Sequence, residues 1–281
     1  MAREGRPDHL ALPEPHRRFW DQAAAFLPPD RRMCDPFRTL AFGTDASCYR
    51  LIPRIVVMAR TEDEVSRLVA LAGSLGVHLT FRAAGTSLSG QAVSDSVLVV
   101  LAGGWRGWRL EAGGERIVLE PGVIGAEANA FLAPLGRKIG PDPASINACM
   151  IGGIVANNAA GMCCGTALNS YQTVESMRIV LADGTAFDTG DAASRARLRE
   201  THRPLLDGLA ALRDEIGADE ALSRRIREKY RIKNTTGYAL NAFVDHHDPI
   251  DILLHLMVGS EGTLAFISEV TLRTVVDHPF K

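Results

Sequence analysis

Residues 82–91 have the side-chain types and the spacing of an anion-binding loop. They read Arg-Ala-Ala-Gly-Thr-Ser-Leu-Ser-Gly-Gln and directly follow a short apolar stretch. Small side chains let successive backbone N–H groups converge on an anion, and the hydroxyls of Thr86, Ser87 and Ser89 add further donors. The loop lacks the Gly-Lys-Ser/Thr ending of a Walker loop and the first glycine of a Rossmann fingerprint. The pattern favours a pyrophosphate as the bound group, with a plain loop between two strands as the alternative.

Two further segments combine glycines with side chains that could hold a flat ring. Residues 140–161 begin with Gly-Pro-Asp-Pro-Ala-Ser and end with Gly-Gly-Ile-Val-Ala-Asn-Asn-Ala-Ala-Gly. Small residues allow a ligand to approach the backbone closely, and Asn157 and Asn158 could supply directed hydrogen bonds. Residues 258–267, Val-Gly-Ser-Glu-Gly-Thr-Leu-Ala-Phe-Ile, place a glycine turn before the last strand. Tight sheet packing would also explain the first segment, and a hairpin turn would explain the second.

A sheet must position the 82–91 loop, and the residues before it predict one. The β-branched run at 55–58 is typical of a buried strand. Thr61 and Glu64 have the spacing of a capping box, apolar residues then recur at helical spacing, and Gly76 stands at the stop position. A strand–helix–strand unit of this kind favours parallel pairing. The other strands predicted here lie at 78–81 and 97–101.

The pattern changes after residue 104, where antiparallel signals replace the parallel ones. We expect a hairpin over 108–120, a helix over about 125–135, a long loop over 140–170, a second hairpin over 174–188, a helical insertion over 191–233, a helix over 250–258 and a final strand over 263–275. The fold class is therefore α+β in two lobes, the first with parallel pairing and the second with a mixed or antiparallel sheet. The predicted divisions are a lead-in over 1–50 with one short helix near 19–26, a first lobe over 51–103 and a second lobe over 104–276.

Composition excludes several classes of protein. The chain has 281 residues, 46% of them hydrophobic, and its 31 basic and 33 acidic residues give a net charge of -2. That balance carries no electrostatic footprint for nucleic acid, and no apolar stretch approaches the length of a membrane span. The five cysteines form no C-x-x-C pair, which indicates free thiols in a reducing compartment rather than an iron–sulfur cluster. We expect a cytoplasmic protein, with peripheral attachment at the inner membrane left open.

Taken together and in this order, the three glycine-rich segments resemble the flavin domain of the vanillyl-alcohol-oxidase-like flavoproteins, the PCMH-type FAD domain. Within that group the chain is most similar to the branch of D-lactate dehydrogenases and glycolate-oxidase FAD subunits. The resemblance covers about 45–276. Residues 43–50 and Pro53 also resemble the lead-in of bacterial members that are fused to an iron–sulfur region.

The resemblance implies FAD as the cofactor. The 82–91 loop would hold the pyrophosphate, residues 141–143 and 152–161 would line the flavin ring and ribityl chain, and residues 261–267 would lie near the adenosine end and the far edge of the ring. Relatives often have glycine where this chain has Ala83. Since residues 82–91 contain no histidine or cysteine, the resemblance implies non-covalent FAD. The cofactor-binding residues so implied are Arg82, Ala83, Ala84, Gly85, Thr86, Ser87, Gly90, Gln91, Pro141, Asp142, Pro143, Gly152, Gly153, Ala156, Asn157, Asn158, Gly161, Glu261, Gly262 and Ile267.

The implied reaction is hydride transfer from the α-carbon of a D-2-hydroxy acid, such as D-lactate or glycolate, to flavin N5, which gives the 2-oxo acid. A general base must take the hydroxyl proton, and in the family it comes from a substrate-binding cap domain. We expect that domain to be absent, because the sequence ends at Lys281 just after the last predicted flavin-domain strand. No residue here is assigned a catalytic role, and this chain alone is expected to be inactive. The expected partners are a small-molecule substrate, the cap domain and an iron–sulfur electron-acceptor region or subunit.

Two other functions remain open at this point. One is a non-catalytic flavin-binding module that needs a partner chain. The other is an NADPH-dependent enzyme of the UDP-N-acetylenolpyruvylglucosamine reductase type, whose loops resemble residues 141–165 less. Residues 245–248, Asp-His-His-Asp, have metal-ligand types, but an Asp cap before Pro249 is the expected role, and no metal is predicted. Residues 233–238 resemble a family segment near the flavin, with Tyr238 as a core or cap-facing residue.

Overall fold

The computed structural model describes residues 8–101 and 103–278. The chain divides into two units. One unit runs up to Trp105 and includes Val180–Ala186, and the other holds Arg106–Ile179 and continues from Phe187. No helix in the described ranges is long and apolar enough to cross a membrane.

The first unit is built around a four-stranded sheet. Its helices and strands are α1 (His16–Ala23), β1 (Arg32–Met33), α2 (Pro36–Ala41), β2 (Ile55–Ala59), α3 (Glu62–Leu75), β3 (Leu79–Arg82) and β4 (Val97–Leu101). The strand order is β1-β2-β4-β3, and β2, β4 and β3 run parallel. Val56 and Leu98 face each other in the ladder and are fully buried, as expected for strands covered on both faces.

Helix α3 connects β2 to β3 and begins and ends where the sequence predicts. The Thr61 side chain accepts the Glu64 backbone N–H at 3.2 Å, and Gly76 closes the helix with a left-handed φ of +64°. Strand β4 lies between β2 and β3, so the connection passes over one neighbour. The predicted strand–helix–strand unit with parallel pairing is confirmed.

The lead-in contains the predicted short helix near 19–26, but it is less irregular than expected. Helix α1 begins earlier, at His16, and α2 and the short β1 follow it. Asp35 caps α2 by accepting the Arg38 backbone N–H at 2.9 Å, a signal that the sequence carried. Strand β1 exists because Arg32 and Met33 pair antiparallel with β2, and two residues are too few to show a pattern.

The second unit holds a larger sheet with helices around it. Its elements are β5 (Trp108–Glu111), β6 (Arg116–Leu119), α4 (Gly125–Leu132), β7 (Arg137–Ile139), α5 (Ile151–Asn157), α6 (Ser170–Thr173), β8 (Val174–Leu181), β9 (Ala186–Asp188), α7 (Ala192–Thr201), α8 (Arg203–Ala218), α9 (Glu220–Lys229), α10 (Ala242–Asp245), α11 (Pro249–Met257) and β10 (Ala265–Val276). The strand order is β5-β6-β10-β8-β9, with β7 also paired to β10. The pairs β5–β6, β6–β10 and β7–β10 are antiparallel, which confirms the predicted change in pairing.

The predicted loop over 140–170 contains a helix that the sequence did not reveal. Helix α5 includes Gly152 and Gly153, which disfavour helices by about 1 kcal/mol each relative to alanine. Ile151, Ile154 and Val155 lie on one face and are buried. Packing of that face stabilises a helix that local propensity opposes.

Candidate functional site

The 82–91 loop of the first unit leaves β3 and bends at glycines. Gly85 and Gly90 have φ values of +68° and +79°, which other residues rarely adopt. A Cβ at Gly85 would lie 2.7 Å from Arg82 Nη2, so the guanidinium lies against the loop backbone. The same side chain donates from Nη1 to the carbonyl oxygen of Phe42 at 3.2 Å. Arg82 is therefore held beside the loop.

The backbone donors of this loop have no acceptors within the described part of the protein. In the described ranges, no backbone N–H from Ala84 to Gly90 donates a hydrogen bond to a protein acceptor. Arg82 is half-buried and forms no ion pair with a described residue, and burial lowers the pKa of its guanidinium while Asp45 opposes that shift. Backbone N–H groups without protein acceptors, on a loop of small residues beside a cation, can bind a diphosphate. The Ser87 hydroxyl, predicted as a donor to the anion, donates instead to Gln91 Oε1.

The glycines of residues 140–161 in the second unit have a different explanation. A Cβ at Gly140 would lie 2.2 Å from the Leu168 carbonyl oxygen, and one at Gly161 would lie 2.0 Å from the Asp142 carbonyl oxygen. At Gly152 a Cβ would lie 2.7 Å from the Cβ of Pro121. Close backbone packing accounts for these three glycines without a ligand, which favours the packing alternative at these positions.

Asp142 fastens this segment rather than presenting a free carboxylate. It accepts backbone N–H groups from Gly161 at 2.8 Å, Cys163 at 3.0 Å and Cys164 at 3.2 Å. Burial alone would raise the pKa of Asp142, but the Cys164 thiol and these backbone donors outweigh it and lower the pKa. Burial and the same carboxylate raise the pKa of Cys164 to about 11, so its thiol stays protonated. All five cysteines are free.

The end of α5 meets the turn before β10, which brings two of the predicted segments together. The backbone N–H of Glu261 donates to the Ala156 carbonyl at 2.9 Å, and that of Gly259 donates to the Val155 carbonyl at 3.3 Å. Asn157 Nδ2 donates to Glu261 Oε1 at 2.5 Å. Glu261 has a φ of +55°, unusual for a residue with a side chain, and such strain clusters at functional sites.

The remaining implied cofactor residues differ in exposure. Ile267 is buried within β10, whereas Gly262 is half-buried and Gly153 is exposed. Pro141 and Pro143 are buried with their neighbour Gly140. Direct contact of each residue with FAD stays a prediction.

The Asp-His-His-Asp motif has a structural role. Asp248 caps α11 by accepting the Ile250 backbone N–H at 2.8 Å, as the alternative interpretation predicted, and it pairs with Arg195 at 3.0 Å. His246 stacks on His255 with ring centroids 3.8 Å apart. Within the described ranges, no three His, Cys, Asp or Glu residues are arranged to hold a metal ion.

Residues 233–238 contact the segment that follows α5, and their position relative to a flavin stays a prediction. Lys233 Nζ donates to the Ala160 carbonyl oxygen. Tyr238 is 44% exposed, and its hydroxyl bonds to Thr263 Oγ1 at 2.8 Å, so it is not a core residue. Sequence reasoning missed a polar cavity nearby, because its lining residues, from Asn158 to Gly259, come from separate segments.

The loop donors without protein acceptors in the described ranges and the two-sheet α+β architecture favour a domain that binds a phosphate-bearing cofactor. Residues 53–190 match the family model described as FAD binding domain. This part of the chain belongs to that family, and FAD is its cofactor. The resemblance predicted from the three segments is confirmed.

The curated relatives include several enzymes with related names. The chain is 29% identical to D-2-hydroxyglutarate dehydrogenase of Pantoea ananatis, over 83% of this chain and 23% of that protein. It is 34% identical to glycolate oxidase subunit GlcD of Escherichia coli, over 52% of this chain and 30% of that protein. It is 26% identical to D-lactate dehydrogenase of Archaeoglobus fulgidus, over 78% of this chain and 38% of that protein. The chain therefore spans between 23% and 38% of these relatives' length.

Solved structures confirm the fold. Alkyldihydroxyacetonephosphate synthase superposes with a TM-score of 0.61 at 18% identity, over 94% of this chain and 41% of that one. Physcomitrella patens BBE-like 1 superposes with a TM-score of 0.59 at 14% identity, over 91% of this chain and 44% of that one. The predicted α+β, PCMH-type FAD-binding architecture is the one these structures share.

Proposed function

We propose that this chain binds FAD non-covalently and forms the flavin-binding part of an enzyme that oxidises a D-2-hydroxy acid to the 2-oxo acid. The observation that carries the first part is the row of backbone N–H groups from Ala84 to Gly90, which have no protein acceptors among the described residues and lie beside the Arg82 cation. The second part is supported by the relatives named for D-2-hydroxyglutarate, glycolate and D-lactate, all of them 2-hydroxy acids.

Residues of this chain would bind and orient the cofactor. Within the first unit, the loop donors and Arg82 would hold the diphosphate. Within the second unit, Asn157 and Glu261, which are hydrogen-bonded to each other, stay predicted cofactor-binding residues. When bound, FAD supplies the hydride acceptor. We assign no general base to a described residue, so substrate binding and proton transfer fall to another segment or subunit. An iron–sulfur electron acceptor is part of the same proposal, and the GlcD relative is itself named as a subunit.

Substitution of Gly85 tests the cofactor site. In Gly85→Val the new side chain meets the Arg82 guanidinium in a loop whose φ suits only glycine. We expect the FAD affinity of Gly85→Val, measured by flavin fluorescence titration, to be at least tenfold lower than that of the unaltered chain. The unaltered chain should release its flavin when it is denatured, as expected for a non-covalent cofactor. Gly76→Ala is the matched control, because Gly76 has the same left-handed φ with nothing within 4 Å of its Cβ position. Equal FAD affinity in all three proteins would refute the loop assignment.

Dye-reduction assays test the substrate class. The FAD-loaded chain, combined with its substrate-binding segment or subunit, should reduce a dye with a D-2-hydroxy acid and not with NADPH. Reduction by NADPH alone would overturn the hydroxy-acid proposal. Failure of every donor with FAD bound would favour a non-catalytic flavin module.

A further inference from the structure

Residues 42–51 of the first unit fold back on themselves and lie against the 82–91 loop. Thr44 and Arg50 form an antiparallel bridge, which closes the residues between them into a short turn. We call residues 42–51 the bracing segment. The sequence analysis placed them in the lead-in and gave them no part in the cofactor site.

Side chains inside the turn hold its shape. The Asp45 Oδ1 atom accepts the Ser47 backbone N–H at 2.8 Å, and the Ser47 hydroxyl accepts the Tyr49 backbone N–H at 3.1 Å. Aspartate and serine side chains stabilise turns in this way, by accepting a backbone N–H two residues later. These bonds give the bracing segment a defined shape of its own.

Two hydrogen bonds join the bracing segment to the first half of the loop. The Arg82 side chain donates to the Phe42 carbonyl oxygen at 3.2 Å, and the Ala46 backbone N–H donates to the Gly85 carbonyl oxygen at 3.0 Å. Because both acceptors are carbonyl oxygens, neither bond uses a backbone N–H of the loop. The loop is fixed at these points while its backbone donors stay open to an anion.

Tyr49 contacts the far end of the loop through its ring. A Cβ at Gly90 would lie 2.9 Å from Tyr49 Cδ2, so the ring lies directly against the Gly90 backbone. The Tyr49 hydroxyl has no hydrogen-bond partner among the described residues, and the residue is 56% exposed. The contact therefore depends on the ring and on the absence of a side chain at Gly90.

We propose that the bracing segment preorganises the 82–91 loop for a diphosphate, with Tyr49 as a positioning residue, a role that rests on the proposed function. A loop that a ligand must order loses conformational entropy on binding, whereas a loop that is already fixed loses less. The contacts at Gly85 and Gly90 fix the two residues at which the loop bends.

Isothermal titration of the chain with FAD, ADP and inorganic pyrophosphate tests the role of Tyr49. Tyr49→Ala removes the ring, and we expect it to weaken all three ligands about fivefold, within the usual loss for ordering one more side chain on binding. Tyr49→Phe keeps the ring and lacks only the unpartnered hydroxyl, so it should bind as the unaltered chain does.

Phe37→Ala is the matched control. Phe37 is another aromatic residue of the first unit, is 85% exposed and lies in α2, outside the bracing segment. This variant should bind the three ligands as the unaltered chain does, which separates loss of the loop contact from loss of an exposed aromatic ring. Urea unfolding verifies that every variant folds.

Protection of the Ala46 amide by the ligand is a second measurement, and a purely structural contact would not produce it. Coupling between two sites is reciprocal, so a segment that favours ligand binding is itself stabilised by the ligand. Hydrogen-exchange mass spectrometry of residues 42–51 should show that bound ADP slows exchange of the Ala46 amide, which donates to Gly85. The slowing should be smaller in Tyr49→Ala.

The outcomes separate the role of the bracing segment from the proposed function. Equal affinities of the unaltered chain and Tyr49→Ala, or an Ala46 amide that bound ADP does not protect, would overturn the preorganisation proposal and leave FAD binding intact. If FAD fails to bind the unaltered chain while pyrophosphate binds in a Tyr49-dependent way, the proposed function fails and the preorganisation proposal stands. Failure of all three ligands to bind would overturn both.

Discussion

The 82–91 loop of the first unit and residues 140–161 of the second are both rich in small residues, yet their hydrogen bonds are in opposite states. The loop leaves its backbone donors from Ala84 to Gly90 without protein acceptors in the described ranges. In the second region, Asp142 takes three backbone donors, and glycine Cβ positions collide with the protein's own backbone.

This contrast shows that a glycine-rich pattern has two physical origins. In one, the absence of side chains leaves backbone groups open to a ligand. In the other, it lets the chain pack on itself. Deciding between them requires the partners of the backbone polar groups, and the following substitutions test the assignment of each region.

Gly161→Ala should have the largest effect and should act on stability. Its Cβ would lie 2.0 Å from the Asp142 carbonyl oxygen, a backbone atom that cannot move aside alone. We expect a loss of about 3 kcal/mol in the free energy of unfolding, at the upper end for overpacking. Urea denaturation measures it. Gly208→Ala, in α8 with nothing within 4 Å of its Cβ position, should leave stability equal or slightly higher.

If Gly161→Ala unfolds at the same urea concentration as the unaltered chain but loses FAD, the second region serves the ligand. The small residues of both regions would then serve to leave backbone open to a ligand, and the two regions would no longer differ in this respect.

Asp142→Ala should have the next largest effect. The substitution leaves three backbone N–H groups without their acceptor, and we expect a cost of about 2 kcal/mol at neutral pH. Because the pKa of Asp142 in the folded chain lies below its ordinary value of 3.8, the carboxylate stabilises the fold above that pH. The contribution is lost as pH falls through the folded pKa.

Urea unfolding of the unaltered chain and of Asp142→Ala across pH 3–7 measures this contribution. The difference in unfolding free energy should be constant near neutrality and shrink at the acid end. A difference that grows on acidification would contradict the assigned role of Asp142. Glu120→Ala is the matched control with a smaller expected loss, because among the described residues this carboxylate accepts only the Gly107 backbone N–H.

Local signals predicted the parts of the fold that local chemistry determines. Thr61, Gly76 and the β-branched strands lie where their sequence patterns placed them. The 82–91 loop was found because its donors, its glycines and the preceding strand are contiguous in sequence.

The features that were missed depend on partners distant in sequence. Helix α5 contains two glycines, which disfavour a helix, and burial of its apolar face stabilises it nevertheless. Asp142 accepts backbone N–H groups from residues 19 to 22 positions later in the chain, and its neighbouring residues do not predict these contacts. The polar cavity of the second unit is lined by residues from separate segments, between Asn158 and Gly259, so no single motif could predict it.

Arg82→Gln should have the smallest effect and should act mainly on binding. The guanidinium is half-buried beside the loop donors and has no ion pair among the described residues, so its loss removes a charge without breaking a salt bridge. We expect the affinity for FAD and for ADP, which both carry the diphosphate, to fall about tenfold, as for one charge-assisted hydrogen bond. Riboflavin, which has no phosphate, should bind unchanged, and Arg54→Gln, an exposed arginine of the same unit, should bind all three ligands normally. Unfolding free energy should fall by no more than about 1 kcal/mol, because the hydrogen bond to the Phe42 carbonyl is lost while a partly buried cation is removed. An equal loss for riboflavin and ADP would mean that Arg82 supports the loop's shape rather than the anion, and the first region would then resemble the second.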